Sequence, residues 1–223
     1  MTRPLLVLRP EPGASATIAA ARGLGLEAVA APLFMIAPVA WSLPDALPEA
    51  ILLTSANAVR QGGAPLAALT GLPVYAVGTA TAEAARRAGF GRIVTGDGDA
   101  EAILAWARRD GVRTLLHLAG REHRDVVPHD IAIDRRIVYA AEPVDSLPDA
   151  ARAVLPGAIA LLHSPRAARL FARLADPAGI AIAAISPATR DAAGPGWRLA
   201  EAAGQPTDAS LLAVAAKLCN QRA

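Results

Sequence analysis

Short apolar runs alternate with alanine-rich stretches along the whole chain. Leu5-Leu6-Val7-Leu8 reads as a buried strand and leads into the loop Arg9-Pro10-Glu11-Pro12-Gly13. Residues 14–24 then form a helix stopped by Gly25, and residues 27–33 return as a strand. Pro32, Pro38, Pro44 and Pro48 punctuate a segment unsuited to helix, so it reads as a connector. Beyond it, strands are predicted at 51–53, 74–77, 92–94, 115–121 and 131–138, with a helix starting near Asp99. After a second connector, Asp145-Ser146-Leu147-Pro148, the pattern gives strands at 160–162, 181–185 and 197–199 and a helix from about Asp208. Strand and helix in alternation imply α/β architecture with parallel sheets.

The pattern repeats at about 109 positions. Ile51-Leu52-Leu53-Thr54-Ser55-Ala56-Asn57-Ala58 aligns with Ala160-Leu161-Leu162-His163-Ser164-Pro165-Arg166-Ala167. Val77-Gly78-Thr79-Ala80-Thr81 aligns with Ile185-Ser186-Pro187-Ala188-Thr189, and the stretch from Gly96 to Ala107 aligns with that from Gly204 to Ala215. Leu115-Leu116-His117-Leu118 likewise parallels Leu5-Leu6-Val7-Leu8. The chain therefore reads as a duplication, two similar doubly wound parallel sheets of about five strands facing each other.

Candidate chemistry lies at the strand ends, where helix N-termini present free amides. Thr54-Ser55, the Gly78 to Thr81 segment, Ser164 and the Ser186 to Thr189 segment all fall there, and together they suit carboxylates. The plainer alternative is that each hydroxyl caps its own helix for about 1 kcal/mol. Pro165 in the first helical position supports the cap reading at Ser164. His163 stands where the first copy has Thr54, as a packed histidine or a base. Gly120-Arg121-Glu122 is either an amide-and-guanidinium turn or a solvated loop. Tyr139 ends a strand just before the second connector, placed either to give a proton to a leaving group or to pack at a hinge.

Other chemistries lack their signatures. No glycine-rich nucleotide loop follows a strand, and no nucleophile elbow or serine–histidine–aspartate set is present. His117, His123 and His129 are six apart, off one helix face, and nothing completes a zinc pattern, so no metal is expected. The single Cys219 excludes an internal disulfide. With 53% hydrophobic and 19% charged residues the chain is globular. No apolar run reaches the ~18 residues of a membrane span, and the apolar start is too short for a signal core, so no membrane partner and a cytoplasmic location are expected. The cations are 21 arginines and Lys217 alone, a consequence of genomic base composition or a preference for forked contacts to carboxylate and phosphate. No basic block appears, which argues against nucleic acid.

These segments together resemble the uroporphyrinogen-III synthase family over essentially the whole chain. The carriers are Val7-Leu8-Arg9-Pro10, Thr54-Ser55-Ala56-Asn57-Ala58-Val59, Val77-Gly78-Thr79-Ala80-Thr81-Ala82, Val138-Tyr139, Ser164-Pro165, Ile185-Ser186-Pro187-Ala188-Thr189 and Pro206-Thr207-Asp208. The resemblance implies two similar doubly wound α/β domains joined by a two-stranded linker. One would be discontinuous, 1–35 plus 145–223, the other inserted, 38–138, with linkers at about 34–40 and 137–144. It also implies a cofactor-free, monomeric lyase of porphyrin and haem biosynthesis. Such an enzyme closes hydroxymethylbilane, a linear octacarboxylate tetrapyrrole, inverting the last ring through a spiro intermediate in the cleft between domains, with loss of water. Tyr139 matches the family's general acid. Arg9, Ser55, Ala56, Asn57, Thr79, Thr81, Gly120, Arg121, Ser164, Pro165, Ser186 and Thr189 fall on substrate-binding segments. Ser186 departs from the family's usual glycine, and residues 191–196 make a poor helix. A two-domain protein that closes on a small anion without chemistry is the alternative from another class.

Overall fold

The computed structural model describes residues 3–96, 99–123, 125–126 and 130–221. In chain order the elements begin with β1 (Leu5–Val7), α1 (Gly13–Gly23), β2 (Ala28–Ala30), β3 (Phe34–Pro38), β4 (Ala50–Leu53) and α2 (Ala56–Gln61). They continue with β5 (Val74–Val77), α3 (Thr79–Arg87), β6 (Ile93–Gly96), α4 (Ala100–Arg109), β7 (Thr114–Gly120) and β8 (Ala132–Pro143). The last are α5 (Asp149–Val154), β9 (Ile159–Leu162), α6 (Pro165–Leu174), β10 (Ala181–Ala184), α7 (Pro187–Ala192), β11 (Leu199–Ala202) and α8 (Asp208–Asn220). The chain divides into two compact units. Unit 2 is Ile36–Glu142, and unit 1 combines the residues up to Met35 with those from Pro143.

Unit 2 has strand order β8-β7-β4-β5-β6, with β3 added beside β8. The pairings among β4 to β8 are parallel. The first three strands run outward from β4, and the chain then crosses to the other side of β4 to lay down β7 and β8. A topological switch point therefore lies between β4 and β7. Side chains alternate across the sheet. Ile51, Leu53, Leu116 and Leu118 pack with α2 and α3 residues, while Ala50, Leu52 and Leu115 pack with Ile103, Leu104 and Ala107 of α4. Burial on both faces explains why these strands read as unbroken apolar runs.

Unit 1 repeats that order as β11-β10-β9-β1-β2, all parallel. Its first strands along the sequence, β1 and β2, occupy the places that β7 and β8 hold in unit 2. Leu5, Val7, Ile159, Leu161, Ala181 and Ala183 meet Ala14, Ala21, Leu211, Leu212, Ala215 and Leu218 of α1 and α8. The six-residue α2 and α7 are far below the ~12–15 residues an isolated helix needs. Each is anchored by a serine cap and a buried inner face, as described below.

Four boundaries differ from the sequence pattern. The strand expected at 27–33 is regular only over Ala28–Ala30; beyond it single bonds from Ala31 to Val7 and from Leu33 to Leu8 continue the ladder past Pro32. The strand expected at 92–94 lies one to two residues later, as β6. The strand expected at 197–199 begins instead at Leu199. Trp197 is occupied otherwise, stacked on Phe171 with ring centroids 5.3 Å apart and its indole N–H donated to the Ala193 carbonyl. Finally, β8 does not stop at Val138 but runs to Pro143, so Tyr139 lies inside a strand rather than at its end. Val39 donates to Val138 and Val144 to Leu33, partners that advance in opposite directions, as in an antiparallel pair.

Candidate active site

The carboxyl ends of β4 and β7 open onto a pocket of about 560 Å³ in unit 2. The chain leaves β4 through Thr54 and Ser55, both on the pocket wall. Ser55 has extended backbone, and its Oγ accepts the Asn57 amide at 3.2 Å, capping α2. Across the switch point a register shift between Ala119 and Gly120 sets Gly120 opposite Tyr139. Both line the pocket. The fit is close: a Cβ on Gly120 would lie 2.5 Å from Tyr139 Cζ and 2.8 Å from its hydroxyl. Glycine is therefore what lets the phenol come this close to the strand end. Arg121 donates its amide to the Tyr139 carbonyl at 2.9 Å, which holds the backbone beneath the ring.

The remaining wall mixes carboxylates with Val77, Ala100, His123 and Val126. Asp99, Glu101, Glu122 and Asp125 all contribute to it. Asp99 caps α4 by accepting the Glu101 and Ala102 amides at 3.1 and 3.0 Å. Asp125 takes Arg135 Nη1 at 3.3 Å, and Glu122 takes the Ala141 amide at 3.5 Å. Behind Thr54 lies His117, fully buried on β7, with Nε2 3.2 Å from Thr54 Oγ1 and Nδ1 3.4 Å from Arg135 Nε. Burial, then the charge of Arg135, then His123 hold the His117 pKa down to about 4, so the ring is neutral. His123 donates Nδ1–H to the Gly120 carbonyl at 2.8 Å and meets His117 edge-on. His129 lies outside the described residues. Among the described residues no cluster of three or more His, Cys, Asp or Glu is arranged to hold a metal ion.

The same end of unit 1 is built differently. Arg9 Nη1 reaches Asp208 Oδ1 and Oδ2 at 3.0 and 3.1 Å, and the buried Thr17 hydroxyl donates to Asp208 Oδ2 at 2.7 Å. Gly13 leaves room for that guanidinium, since a Cβ there would lie 2.4 Å from Arg9 Nε. His163 Nε2 comes within 3.3 Å of Asp208 Oδ1 but too poorly aligned for a hydrogen bond. Burial and the Arg9 charge push the His163 pKa down to about 4, against a smaller upward pull from Asp208. Ser164 caps α6 by accepting the Ala167 amide at 3.1 Å, with Pro165 in the first turn. Ser186 caps α7 through the Thr189 amide at 3.2 Å and also touches the Thr189 hydroxyl at 3.0 Å. Its counterpart Gly78 has φ +81°, a conformation suited to glycine, and leaves α3 without a side-chain cap.

The structure thus gathers Ser55, Gly120 and Tyr139 around one pocket. Thr79 is exposed and Thr81 buried in the first turn of α3. Ala56 is buried on α2, and Asn57 accepts Arg60 at 3.4 Å. The Arg121 side chain is ion-paired with Glu142 at 2.6 Å. Arg9, Ser164, Pro165, Ser186 and Thr189 belong to unit 1. Sequence reasoning did not single out Asp99, Glu101 or Asp125 as pocket residues; it held Glu122 within a candidate amide-and-guanidinium turn and set His117 aside with His123 and His129 as an incomplete zinc pattern. The register that places Leu52 beside His117 explains its contact with Thr54.

Comparison with known proteins follows the same line. The family model of uroporphyrinogen-III synthase HemD matches residues 15–213. Among solved structures, the crystal structure of uroporphyrinogen-III synthetase from Helicobacter pylori 26695 aligns over 97% of this chain and 99% of that one, with TM-score 0.67 and 17% identity. A uroporphyrinogen III synthase from Thermus thermophilus aligns over 99% and 100%, with TM-score 0.42 and 16% identity. No curated protein gives a significant sequence match. Among the described residues, no helix is long and apolar enough to cross a membrane.

Proposed function

The chain belongs to the uroporphyrinogen-III synthase family and performs its cyclisation in tetrapyrrole biosynthesis, and on that premise we propose that Tyr139 is the proton donor of the reaction. The substrate is hydroxymethylbilane, whose terminal hydroxyl departs as water to leave an electron-poor methylene-pyrrolenine. The last pyrrole attacks through its substituted carbon, passes through a spiro intermediate and recloses inverted. Spontaneous closure gives the uninverted type I isomer, so the protein's main task is to hold the chain with the disfavoured carbon nearest. The observation that carries the Tyr139 reading is its phenol, seated against Gly120 on the pocket wall.

Ser55, Ala56 and Asn57 at α2 and Thr79 and Thr81 at α3 supply amides and hydroxyls suited to substrate carboxylates. Arg9, Gly120, Arg121, Ser164, Pro165, Ser186 and Thr189 complete the binding set. No added cofactor is needed, because the leaving group and the nucleophile are both in the substrate. The reading extends to a monomer acting in the cytoplasm, which size-exclusion chromatography and cell fractionation check. The decisive experiment supplies hydroxymethylbilane and resolves the product isomers. Type III uroporphyrinogen is the expected product; accumulation of type I alone would sink the reading. Y139F is expected to slow turnover without abolishing it, since positioning supplies most of the acceleration. Complete loss with the fold intact would contradict that division of labour.

A further inference from the structure

We infer that Thr54 is a second donor to the departing hydroxyl of the bilane, held in that role by His117 and Arg135. The inference rests on the reading of Tyr139 as proton donor and adds three residues to it. The hydrogen bonding behind the pocket sets the direction of the Thr54 hydroxyl. A guanidinium can only donate, so His117 Nδ1 accepts from Arg135 at 3.4 Å and the single ring proton sits on Nε2. That N–H donates to Thr54 Oγ1 at 3.2 Å. The threonine's own proton must then be given elsewhere. No other described group bonds this hydroxyl, and Thr54 lines the pocket. Arg135 is itself steadied by Asp125 at 3.3 Å. The array therefore presents one oriented O–H to an acceptor inside the cavity.

The walls select which acceptor that is. Asp99, Glu101, Glu122 and Asp125 line the same cavity, a favourable setting for developing positive charge. The hydroxymethyl end of the bilane fits this requirement. Its C–O bond breaks with the electron pair leaving on oxygen, Tyr139 supplies the proton that makes the leaving group water, and the pyrrole nitrogen lone pair forms C=N as the adjacent ring double bond shifts to become C=C to the exocyclic carbon. Thr54 keeps its proton throughout and only stabilises the oxygen as charge grows on it. The ring proton lost at closure returns to the tyrosine. Unit 1 has no equivalent pair, because His163 and Val7 stand at the matching strand positions.

Steady-state kinetics with hydroxymethylbilane, kcat and KM resolved separately, test the inference. T54V keeps the shape and removes the hydroxyl; it is expected to lower kcat about tenfold with KM within about twofold. T54S should restore wild-type kcat to within about twofold. H117L should reproduce the T54V loss, H117Q should retain most activity because its amide N–H can replace Nε2–H, and T54V/H117L should be no slower than either single variant. An unchanged kcat in T54V overturns the inference. A raised KM with unchanged kcat also overturns it, since Thr54 would then grip a ground-state carboxylate. If H117L does not fold, the T54V and T54S pair still decides. A wild-type protein that yields no type III isomer removes the cyclase reading itself, and is seen before any variant is made.

Discussion

The two units share one strand order and differ at the corresponding switch point. Ser55 and Ser164 cap matching helices, which sets Thr54 against His163. Asp99 and Thr207 are matching caps, which sets Ala100 against Asp208. Leu5 pairs with Ile159 as Leu115 pairs with Ala50, which sets Arg9 against Ala119. Three positions that are small or neutral beside the unit 2 pocket are thus an arginine, a histidine and an aspartate in unit 1, bound up with one another. The same contrast recurs at the next helix, where Ser186 closes α7 and Gly78 leaves α3 uncapped. A duplicated fold has kept its scaffold while one copy turned its polar groups inward and the other kept them facing a cavity.

The largest expected effect treats the units alike. His117 and His163 each have a pKa lowered from 6.5 to about 4 by burial. The unfolded chain therefore binds protons that the folded one refuses. The stability these rings contribute is complete above about pH 6.5 and is lost as pH falls towards 4, by about 3 kcal/mol for each. H163T, which installs the unit 2 residue in unit 1, should flatten the acid slope in unit 1 alone. Hydrogen exchange read separately for each unit checks this; an unchanged slope would mean that His163 is not held neutral.

Next comes G120A, which separates activity from stability. The added Cβ drives the Tyr139 ring from its seat, and a misplacement of about 1 Å costs roughly a hundredfold in turnover. Activity retained within twofold would show that the close seating of the phenol is irrelevant to catalysis. D208A acts on the other side of the comparison. It strips Arg9 and Thr17 of their acceptor and should destabilise unit 1 by about 2 kcal/mol, with unit 2 unaffected. Urea unfolding with exchange readout distinguishes a unit 1 loss from a global one. The smallest effect is S186A, about 1 kcal/mol from the lost cap of α7. If it costs nothing, the cap is not what orders that short helix.

The legible parts of the sequence were those with a local cause. Ser55, Ser164 and Ser186 were readable as caps because a cap is set by its own next three residues. The doubly wound sheets followed from apolar runs buried on both faces. The Arg9–Asp208 pair could not be read in this way, since its partners are separated by 199 positions and meet only when β1 takes its place beside β9. Trp197 looked like the start of a strand because its residue type favours one; stacking on Phe171 won. The acidic pocket lining was hidden for a different reason. Glu122 and Asp125 sit in a polar segment that resembles any solvated loop until it is placed beyond β7, and Asp99 was legible only as a helix start.

The divided construction of unit 1 also bears on how the protein is made. On a ribosome the residues of unit 2 emerge consecutively and have all their sheet neighbours once β8 is out. β1 and β2 emerge before unit 2, yet β1 must wait for β9, about 150 residues later, before its second edge is covered. Until then a short, fully apolar strand is left with an open flank while its neighbour in space is still unmade. The strand edge exposed longest during synthesis is therefore that of β1, and chaperone engagement should concentrate there rather than on the inserted unit.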